Sequence, residues 1–240
     1  MGAFFMHDPI DISNPIVISV GGALIVSHGK VKVEFLTAFN TLIRKHVKEG
    51  KRFMLIAGGG GVCREYRDAG KAIVQNMPND DLDWLGIHAT RLNGHLLRTI
   101  FKDIAHHRMI ENYAHALENW EESVVIGAGW KPGFSSDYCA TYLAQEHGAK
   151  ILINLSNVDH VYDSDPDKNP NAKPLKDITW AEMQKMLGTK WTPGLNAPFD
   201  PIASQLARKH KLTVVVANGK HLANLEHILD GKPFKGTVIR

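Results

Sequence analysis

Four consecutive glycines, 58–61, lie between an apolar run and a stretch with helical spacing. Glycines at such a junction let the backbone approach a ligand closely, and the helix start adds free N–H groups and a positive dipole end. Phosphate is the natural ligand of this arrangement. A tight turn that needs several positive φ angles is the structural alternative. Four glycines exceed what a turn requires, so we favour phosphate binding.

Two familiar phosphate motifs do not fit this run. The Walker A loop needs Gly-Lys-Ser/Thr, which the sequence lacks. The dinucleotide fingerprint needs a third glycine, but the chain has Cys63 or Arg64 at that position, depending on where counting begins. Two more polar loops, Gly21-Gly22 and 133–137, also follow apolar runs. Three such loops would meet at the carboxyl edge of a parallel sheet and form a binding crevice.

The elements that must position these loops alternate between strands and helices. Apolar and β-branched runs predict strands at 16–20, 52–57, 124–127, 151–155, 213–217 and 237–239. Helical spacing and capping residues predict helices at 33–48, from about 62, at 83–104, after Ser135 or Ser136, from Thr179 to Gly188, at 201–210 and at 222–229. The polar stretch 159–174 is predicted to be a loop. This alternation predicts an α/β fold, a three-layer α/β/α sandwich with a mostly parallel sheet.

Composition narrows the functional class. The chain has 240 residues, 44% hydrophobic and 22% charged, with a net charge of +3, so it can bury a sizeable core. Scattered basic residues argue against a nucleic-acid partner. Two cysteines, Cys63 and Cys139, do not form a disulfide framework, and we expect a cytoplasmic protein without a membrane contact. His106, His107 and His115 match no zinc spacing, so we interpret them as surface or packing residues.

Four segments resemble the amino-acid kinase family, and within it the archaeal-type UMP kinases. Gly58-Gly59-Gly60 with Arg64 is the first, and residues 156–166 resemble the signature T-N-V-D-G-V-Y-x-x-D-P. Residues 83–93 resemble D-x-x-G-I-x-x-T-R-x-N, and 132–137 resemble P-G-H-T-T-D. The similarity runs from Ile16 to Ile239. It implies the amino-acid-kinase fold and transfer of the ATP γ-phosphoryl group to UMP, with Mg²⁺.

The resemblance also implies where the substrates bind. The UMP site would comprise Gly59, Asp83, Trp130, Lys131, Pro132, Gly133, Phe134, Ser135 and Ser136. The ATP site would comprise Gly22, Ala23, Gly60, Arg64, Ser156, Asn157, Tyr162 and Asp165. The catalytic side chains would be Lys131, Arg64 and Asp137, and no side chain is assigned as a direct metal ligand. The chain would divide into an N-terminal extension, 1–14, and one domain, 15–240, with an acceptor lobe to about 150 and an ATP lobe from 151.

Phosphoryl transfer to a phosphate needs alignment and charge neutralisation rather than a strong base. Many superfamily members carry a lysine on the first strand. The corresponding residues of this chain, 18–22, are Ile-Ser-Val-Gly-Gly and include no lysine. We hypothesise that Lys131 supplies part of that charge; a solvated surface lysine is the alternative. For Arg64, the alternative to a catalytic role is that of a surface helix residue. For Asp137, it is that of an acidic residue that only favours the first turn of its helix. Ala23 and His160 replace the serine and glycine typical of the family.

Two other functions stay open on this sequence. A kinase of the same fold could act on another acid acceptor, such as an amino acid, carbamate or isopentenyl phosphate. Asp83 and the 132–137 loop favour a nucleotide instead. A non-catalytic protein could use the ATP half to store oxyanions, as the molybdenum storage proteins of this fold do. By analogy with the archaeal-type UMP kinases, we also expect a homohexamer.

Overall fold

The computed structural model describes residues 15–114, 117, 120–166, 168–187 and 198–240, and the expected extension 1–14 lies outside them. The strands are β1 (Ile16–Val20), β2 (Val26–Ser27), β3 (Lys30–Val31), β4 (Phe53–Ala57), β5 (Val124–Gly127), β6 (Ile151–Ser156), β7 (Val161–Tyr162), β8 (Pro174–Leu175), β9 (Asp177–Ile178), β10 (Thr213–Asn218) and β11 (Thr237–Ile239). The helices are α1 (Gly22–Ile25), α2 (Val33–Lys48), α3 (Gly60–Ile73), α4 (Asn79–Ile100), α5 (Ser136–Glu146), α6 (Trp180–Leu187), α7 (Pro201–Lys209) and α8 (Leu222–Leu229).

Seven strands form the central sheet in the order β5-β4-β1-β6-β10-β11-β9. All neighbouring pairs are parallel except β10 and β11, which are antiparallel. The strands from the first half of the chain meet those from the second half where β1 pairs with β6. The sheet is therefore continuous across the predicted division near residue 150. The prediction of a mostly parallel sheet is confirmed.

Alternate residues of β1 point to opposite sides of the sheet, and both sides are covered. Ile16 and Ile18 belong to a buried cluster that includes Phe39 of α2 and residues of α4 and α8. Val17 belongs to a second cluster, with residues of α5, α6 and α7. A strand buried on both faces has no polar face, which is why β1 reads as a nearly continuous apolar run. The predicted three-layer α/β/α architecture is confirmed.

The structure differs from the sequence prediction in several short elements. A one-turn helix, α1, directly follows Gly21, and a small hairpin, β2–β3, follows it. The segment predicted as a loop at 159–174 contains β7 and the start of β8, which pair with each other. Elements this short have no periodicity to detect. Helix α4 begins at Asn79 rather than at residue 83, after Pro78 and with Asp80 and Asp81 in its first turn.

Three predicted caps are present. The hydroxyl of Ser135 accepts a hydrogen bond from the amide of Tyr138. Thr179 and Glu182 exchange the hydrogen bonds of a capping box at α6, although Gly188, the predicted stop, lies outside the described residues. Asp200 accepts from the first amides of α7. Among the described helices, none has the length and apolar character needed to cross a membrane.

Candidate functional site

A cleft of about 620 Å³ opens at the carboxyl edge of β1, β4, β5 and β6. Two of the three loops predicted to converge, 58–61 and 133–137, contribute to its wall, and the Gly21-Gly22 loop is represented by the residue that follows it, Ala23. The predicted site residues that line it are Ala23, Gly59, Gly60, Arg64, Asp83, Phe134, Ser135, Ser136, Asp137 and Asn157. Its lining also includes residues that sequence reasoning did not select, namely Cys63, Arg67, Gly86, Ile87, Thr90, Gly129 and Asp200.

The two glycine loops pack against each other backbone to backbone. A Cβ atom on Gly22 would lie 2.1 Å from the amide nitrogen of Gly60, and one on Gly58 would lie 2.7 Å from the amide nitrogen of Gly22. Gly60 also has a φ of +68°, which side chains rarely tolerate. Close loop packing therefore accounts for part of the glycine run. Helix α3 begins there without a side-chain cap at Gly59, so its N-terminal amides remain available to an anion.

Polar side chains of α4 fix the loops that form the cleft. The buried amide of Asn93 donates to the carbonyl oxygen of Gly58 at 2.8 Å. The hydroxyl of Thr90 accepts from the amide of Gly129 at 2.7 Å. Arg91 donates to the carbonyl oxygen of Gly129 at 3.2 Å. One helix thus sets the relative positions of the loops after β4 and β5.

Asp83, near the start of α4, faces the cleft and holds the polar loop. Its Oδ2 atom accepts a hydrogen bond from the amide of Gly133 at 2.8 Å. Burial raises the pKa of the Asp83 carboxyl, while the Gly133 hydrogen bond and the positive charge of Arg67 lower it. The carboxylate can accept further hydrogen bonds from a ligand in the cleft. A ligand hydroxyl is a suitable donor.

Two arginines of α3, one turn apart, line the same side of the cleft. Arg64 was predicted, and Arg67 was missed. Arg67 is exposed over part of its surface, and its Nη1 atom lies 3.5 Å from the sulfur of Cys63. The i, i+3 spacing from Arg64 was the available signal, because residues three apart share a helix face. The pair gives this wall a positive charge suited to a phosphate.

Asp137 and Asp200 form an acidic pair in the cleft wall. The hydroxyl of Ser19 donates to Asp137 Oδ1 at 3.3 Å, and the amide of Asp200 donates to Asp137 Oδ2 at 3.3 Å. Burial, reinforced by the negative charge of Asp200, raises the pKa of Asp137 to about 7. Burial also raises the pKa of Asp200. The sequence marked Asp200 only as a helix cap, because a capping aspartate looks the same whether or not it lines a cleft.

Lys131 lies apart from these groups. Its side chain is exposed, and its ammonium sits 4.5 Å from the Trp130 ring centroid and 5.5 Å from that of Phe134. Phe134, which does line the cleft, stacks on Trp130 and on Tyr138. Of the three predicted catalytic side chains, Arg64 and Asp137 line the cleft in this structure, and Lys131 does not. Its ammonium is instead engaged in cation–π contacts.

The predicted ATP segment contributes less to the cleft than the segments around α3 and α4. Asn157 lines it, whereas the hydroxyl of Ser156 accepts from the amide of Val158. Asp165 lies 3.3 Å from Lys168. The predicted residues Gly22, Trp130, Pro132, Gly133, Ser156, Tyr162 and Asp165 are not part of the lining.

His160 occupies the position where the resembling family has a glycine. Its ring is buried, and its Nδ1 atom lies 2.8 Å from the carbonyl oxygen of Gly236. Burial lowers the pKa of this histidine. The ring meets Tyr162 edge-on at 6.3 Å. His160 is thus buried, and it is not part of the cleft lining.

Comparisons with known proteins match this chain in sequence and in fold. The sequence profile described as the amino acid kinase family matches residues 14–218. A uridylate kinase of Sulfurisphaera tokodaii is 36% identical over 85% of this chain and 90% of its own length, and one of Pyrococcus abyssi is 30% identical over 93% and 98%. The crystal structure of uridylate kinase from Archaeoglobus fulgidus superposes with a TM-score of 0.78 at 26% identity, covering 94% of this chain and 100% of that one.

Proposed function

The chain belongs to the amino acid kinase family, and from this premise we propose that it is a UMP kinase. It transfers the γ-phosphoryl group of ATP to UMP and yields ADP and UDP, a step in pyrimidine nucleotide synthesis. Relatives named uridylate kinase match most of the chain at 30% identity or more. The observation that carries the proposal is the cleft, where a helix start, two arginines and Asp83 converge.

The acceptor half of the cleft, comprising α3, α4 and the loop 128–136, suits a nucleoside monophosphate. Asp83 uses one oxygen for the amide of Gly133 and has further lone pairs for ribose hydroxyls. Gly59, Ser135 and Ser136 line the same wall. The ring of Phe134 offers a flat surface on which a base can stack. These groups together recognise a sugar, a base and a phosphate.

Charge neutralisation is the main catalytic task, because the acceptor phosphate is already ionised near neutral pH. The N-terminal amides of α3 and the guanidinium of Arg64 face the cleft and stabilise negative charge there. Ala23 and Gly60, where the two glycine loops touch, contribute backbone groups only. The positive charge that a first-strand lysine would supply is thus partly replaced by α3.

The acidic pair fits the Mg²⁺ that accompanies ATP in our proposal. Asp137 and Asp200 are carboxylates, the ligand type that Mg²⁺ prefers, and both lie in surroundings that disfavour their charge. A divalent cation relieves that cost. Bound there, Mg²⁺ would neutralise phosphate charge, and the two aspartates would orient it. Ser19 holds the Asp137 carboxylate in place.

The donor half, comprising residues 156–166, is proposed to hold the adenosine part of ATP. Asn157 provides its contact with the cleft. Ser156, Tyr162 and Asp165 remain proposed ATP residues on the strength of the signature that they belong to. A cytoplasmic location likewise stays a prediction.

We also propose a homo-oligomer, with a hexamer as the expected size. Ile73 of α3 and Trp84 and Leu92 of α4 expose large apolar side chains, at 81%, 39% and 68% of their surface. Helices α3 and α4 pack against each other, so these side chains belong to neighbouring helices. Exposed apolar side chains on adjacent elements are typical of surfaces buried on assembly.

An acceptor screen tests the function. ADP release is measured with Mg²⁺-ATP and, separately, UMP, CMP, AMP, carbamate, isopentenyl phosphate and acidic amino acids. We expect turnover with UMP above all others. Turnover with a different acceptor contradicts the proposal but keeps a kinase, whereas ATP binding without any turnover favours storage of oxyanions.

A further inference from the structure

We propose a site for a divalent transition-metal ion, of the Zn²⁺ class, formed by His106, His107 and Glu122. One ring nitrogen from each histidine and one carboxylate oxygen lie within 4.8 Å of one another. The two histidines alone match no zinc spacing, because the third ligand arrives only through folding. Two imidazoles and a carboxylate are a donor set that binds zinc in proteins, with the remaining positions open to water.

The backbone of Arg108 orients the first ligand, His106. Its Nδ1 atom lies 3.0 Å from the carbonyl oxygen of Arg108 and 3.2 Å from the amide nitrogen of the same residue. In the tautomer whose Nδ1 proton is donated to the carbonyl oxygen, the lone pair of Nε2 is left for a metal ion. Metal-binding histidines are commonly fixed by such a hydrogen bond to a backbone carbonyl. The His107 ring lies beside it, with centroids 4.5 Å apart.

Nearby arginines leave the cluster's side chains available. Arg98 donates to the backbone carbonyl oxygen of His107, and Arg52 donates to that of Glu122. Among the described residues, the Glu122 carboxylate has no hydrogen bond or ion pair to another side chain. A carboxylate beside two imidazoles and without a partner of its own is suited to a cation.

A second histidine–carboxylate group in the described residues differs from this cluster because a lysine lies within it. His46, Glu49 and Asp230 also lie close together, but the ammonium of Lys51 sits among them, 2.8 Å from His46 Nδ1 and 3.4 Å from Glu49. That group already contains its cation. The His106–His107–Glu122 cluster contains none from the described side chains, so it is the better metal site.

The position of the cluster indicates what an ion would do. His106 pairs through its amide with Val124 at the amino end of β5, whereas the cleft lies at the carboxyl end. The ligands come from the two ends of the long connection between α4 and β5, since Glu122 follows His107 by 15 residues. An ion would fasten this connection against the edge strand and stabilise the fold. Imidazole ligands separate this site from the Mg²⁺ of catalysis, which prefers oxygen.

Zinc titration of the full chain, without a histidine tag, tests the site. We expect one Zn²⁺ per chain, with affinity reduced at least about tenfold by His107→Gln and by Glu122→Gln, because even outer-shell changes cost that much. His210→Gln removes an exposed histidine elsewhere and should bind as the unmodified chain does. Both test positions avoid His106, whose replacement could disturb the Arg108 backbone.

Two further readouts connect binding to the cluster. Saturating Zn²⁺ should raise the Tm of the unmodified chain by about 5 °C or more and have less effect on the two ligand variants. Co²⁺ should give the visible absorption of a low-coordinate nitrogen and oxygen site in the unmodified chain, and that absorption should weaken in both variants. The proposal is overturned if the variants bind Zn²⁺ as tightly as the unmodified chain, or if the unmodified chain binds none.

Discussion

The acceptor half and the donor half of the cleft are built in different ways. In the acceptor half, side chains of α4 bond to loop backbones 35 to 50 residues away, as Asn93 does with Gly58 and Asp83 with Gly133. In the donor half, Asp159 and His160 bond to the C-terminal part of the chain, at Asn218, Lys235 and Gly236. The acceptor half is thus organised by one helix that lines the cleft, whereas the donor half is anchored to the C-terminal part of the chain and places only Asn157 of its segment in the cleft lining.

This difference has a functional consequence. Groups held by a helix that spans several loops keep their positions without a ligand, which lowers the cost of binding. The donor half presents fewer groups to the cleft, so it offers fewer contacts that a substitution can remove. We therefore expect changes in the acceptor half to affect UMP selectively and to exceed equivalent changes in the donor half.

The largest effect is expected from Asp83→Ala. Loss of hydrogen bonds from this carboxylate to the Gly133 amide and to the ribose should lower kcat/KM for UMP by about 100- to 1,000-fold, while KM for ATP stays within about twofold. Steady-state kinetics with each substrate varied in turn measures the asymmetry. The donor-half control is Asp159→Ala, whose carboxylate pairs with Lys235 and Asn218. Equal losses for both substrates in Asp83→Ala contradict the division into halves.

The next effect concerns Asp137, which lies where the halves meet. Burial raises its pKa from 3.8 to about 7. The folded state therefore holds a proton that the unfolded state loses, so this group makes stability fall as pH rises from about 4 to 7. Asp137→Asn removes that loss. Its free energy of unfolding, measured with urea in EDTA, should exceed that of the unmodified chain by about 4 kcal/mol at pH 8, with little difference at pH 4.

A control of opposite sign is available for this pH dependence. The hydrogen bond from Arg44 lowers the pKa of exposed Asp103 to about 2. Its contribution to stability is therefore present above the ordinary aspartate pKa and is lost as pH falls toward 2. Asp103→Asn should lower stability at pH 8 relative to pH 2. If Asp137→Asn also lowers stability at pH 8, the assignment of a raised pKa to Asp137 is wrong.

A smaller effect is expected from Arg67→Gln. This guanidinium lines the acceptor half beside Asp83, so its loss should raise KM for UMP about tenfold and change kcat by less than about threefold. Lys71→Gln, on the same helix but outside the cleft lining, is the matched control. If the KM for UMP of Arg67→Gln equals that of Lys71→Gln, Arg67 is not part of the acceptor site.

The smallest effect is expected from Lys131→Ala. The ammonium lies over the Trp130 and Phe134 rings, a contact worth about 0.5–1 kcal/mol at an exposed site. We expect less than about a twofold change in the turnover rate at saturating UMP and ATP. A loss of two orders of magnitude in that rate would restore the hypothesis that Lys131 moves to the transferring phosphoryl group. It would also show that the loop rearranges on binding.

Prediction from sequence succeeded where one segment carries its own signal. Helices α2 and α8 and the strands β1, β5 and β11 have the predicted bounds, because periodicity and adjacent turn residues define them. Ser135 caps α5 as expected. Helix α4 begins four residues before its predicted start, because Pro78 and the acidic first turn precede its apolar periodicity.

The alternation of strands and helices, the glycine loops at strand ends and the family signature are all local patterns, so the amino-acid order alone was enough to predict them. Which side chains meet became known only from the folded chain: Asp200 with Asp137 across 63 residues, Arg67 beside Asp83, and Glu122 beside His106 and His107. The fold also showed that Gly22 and Gly60 are required by the contact between their loops. Such contacts depend on the order of the strands in the sheet, which no local spacing of residues encodes.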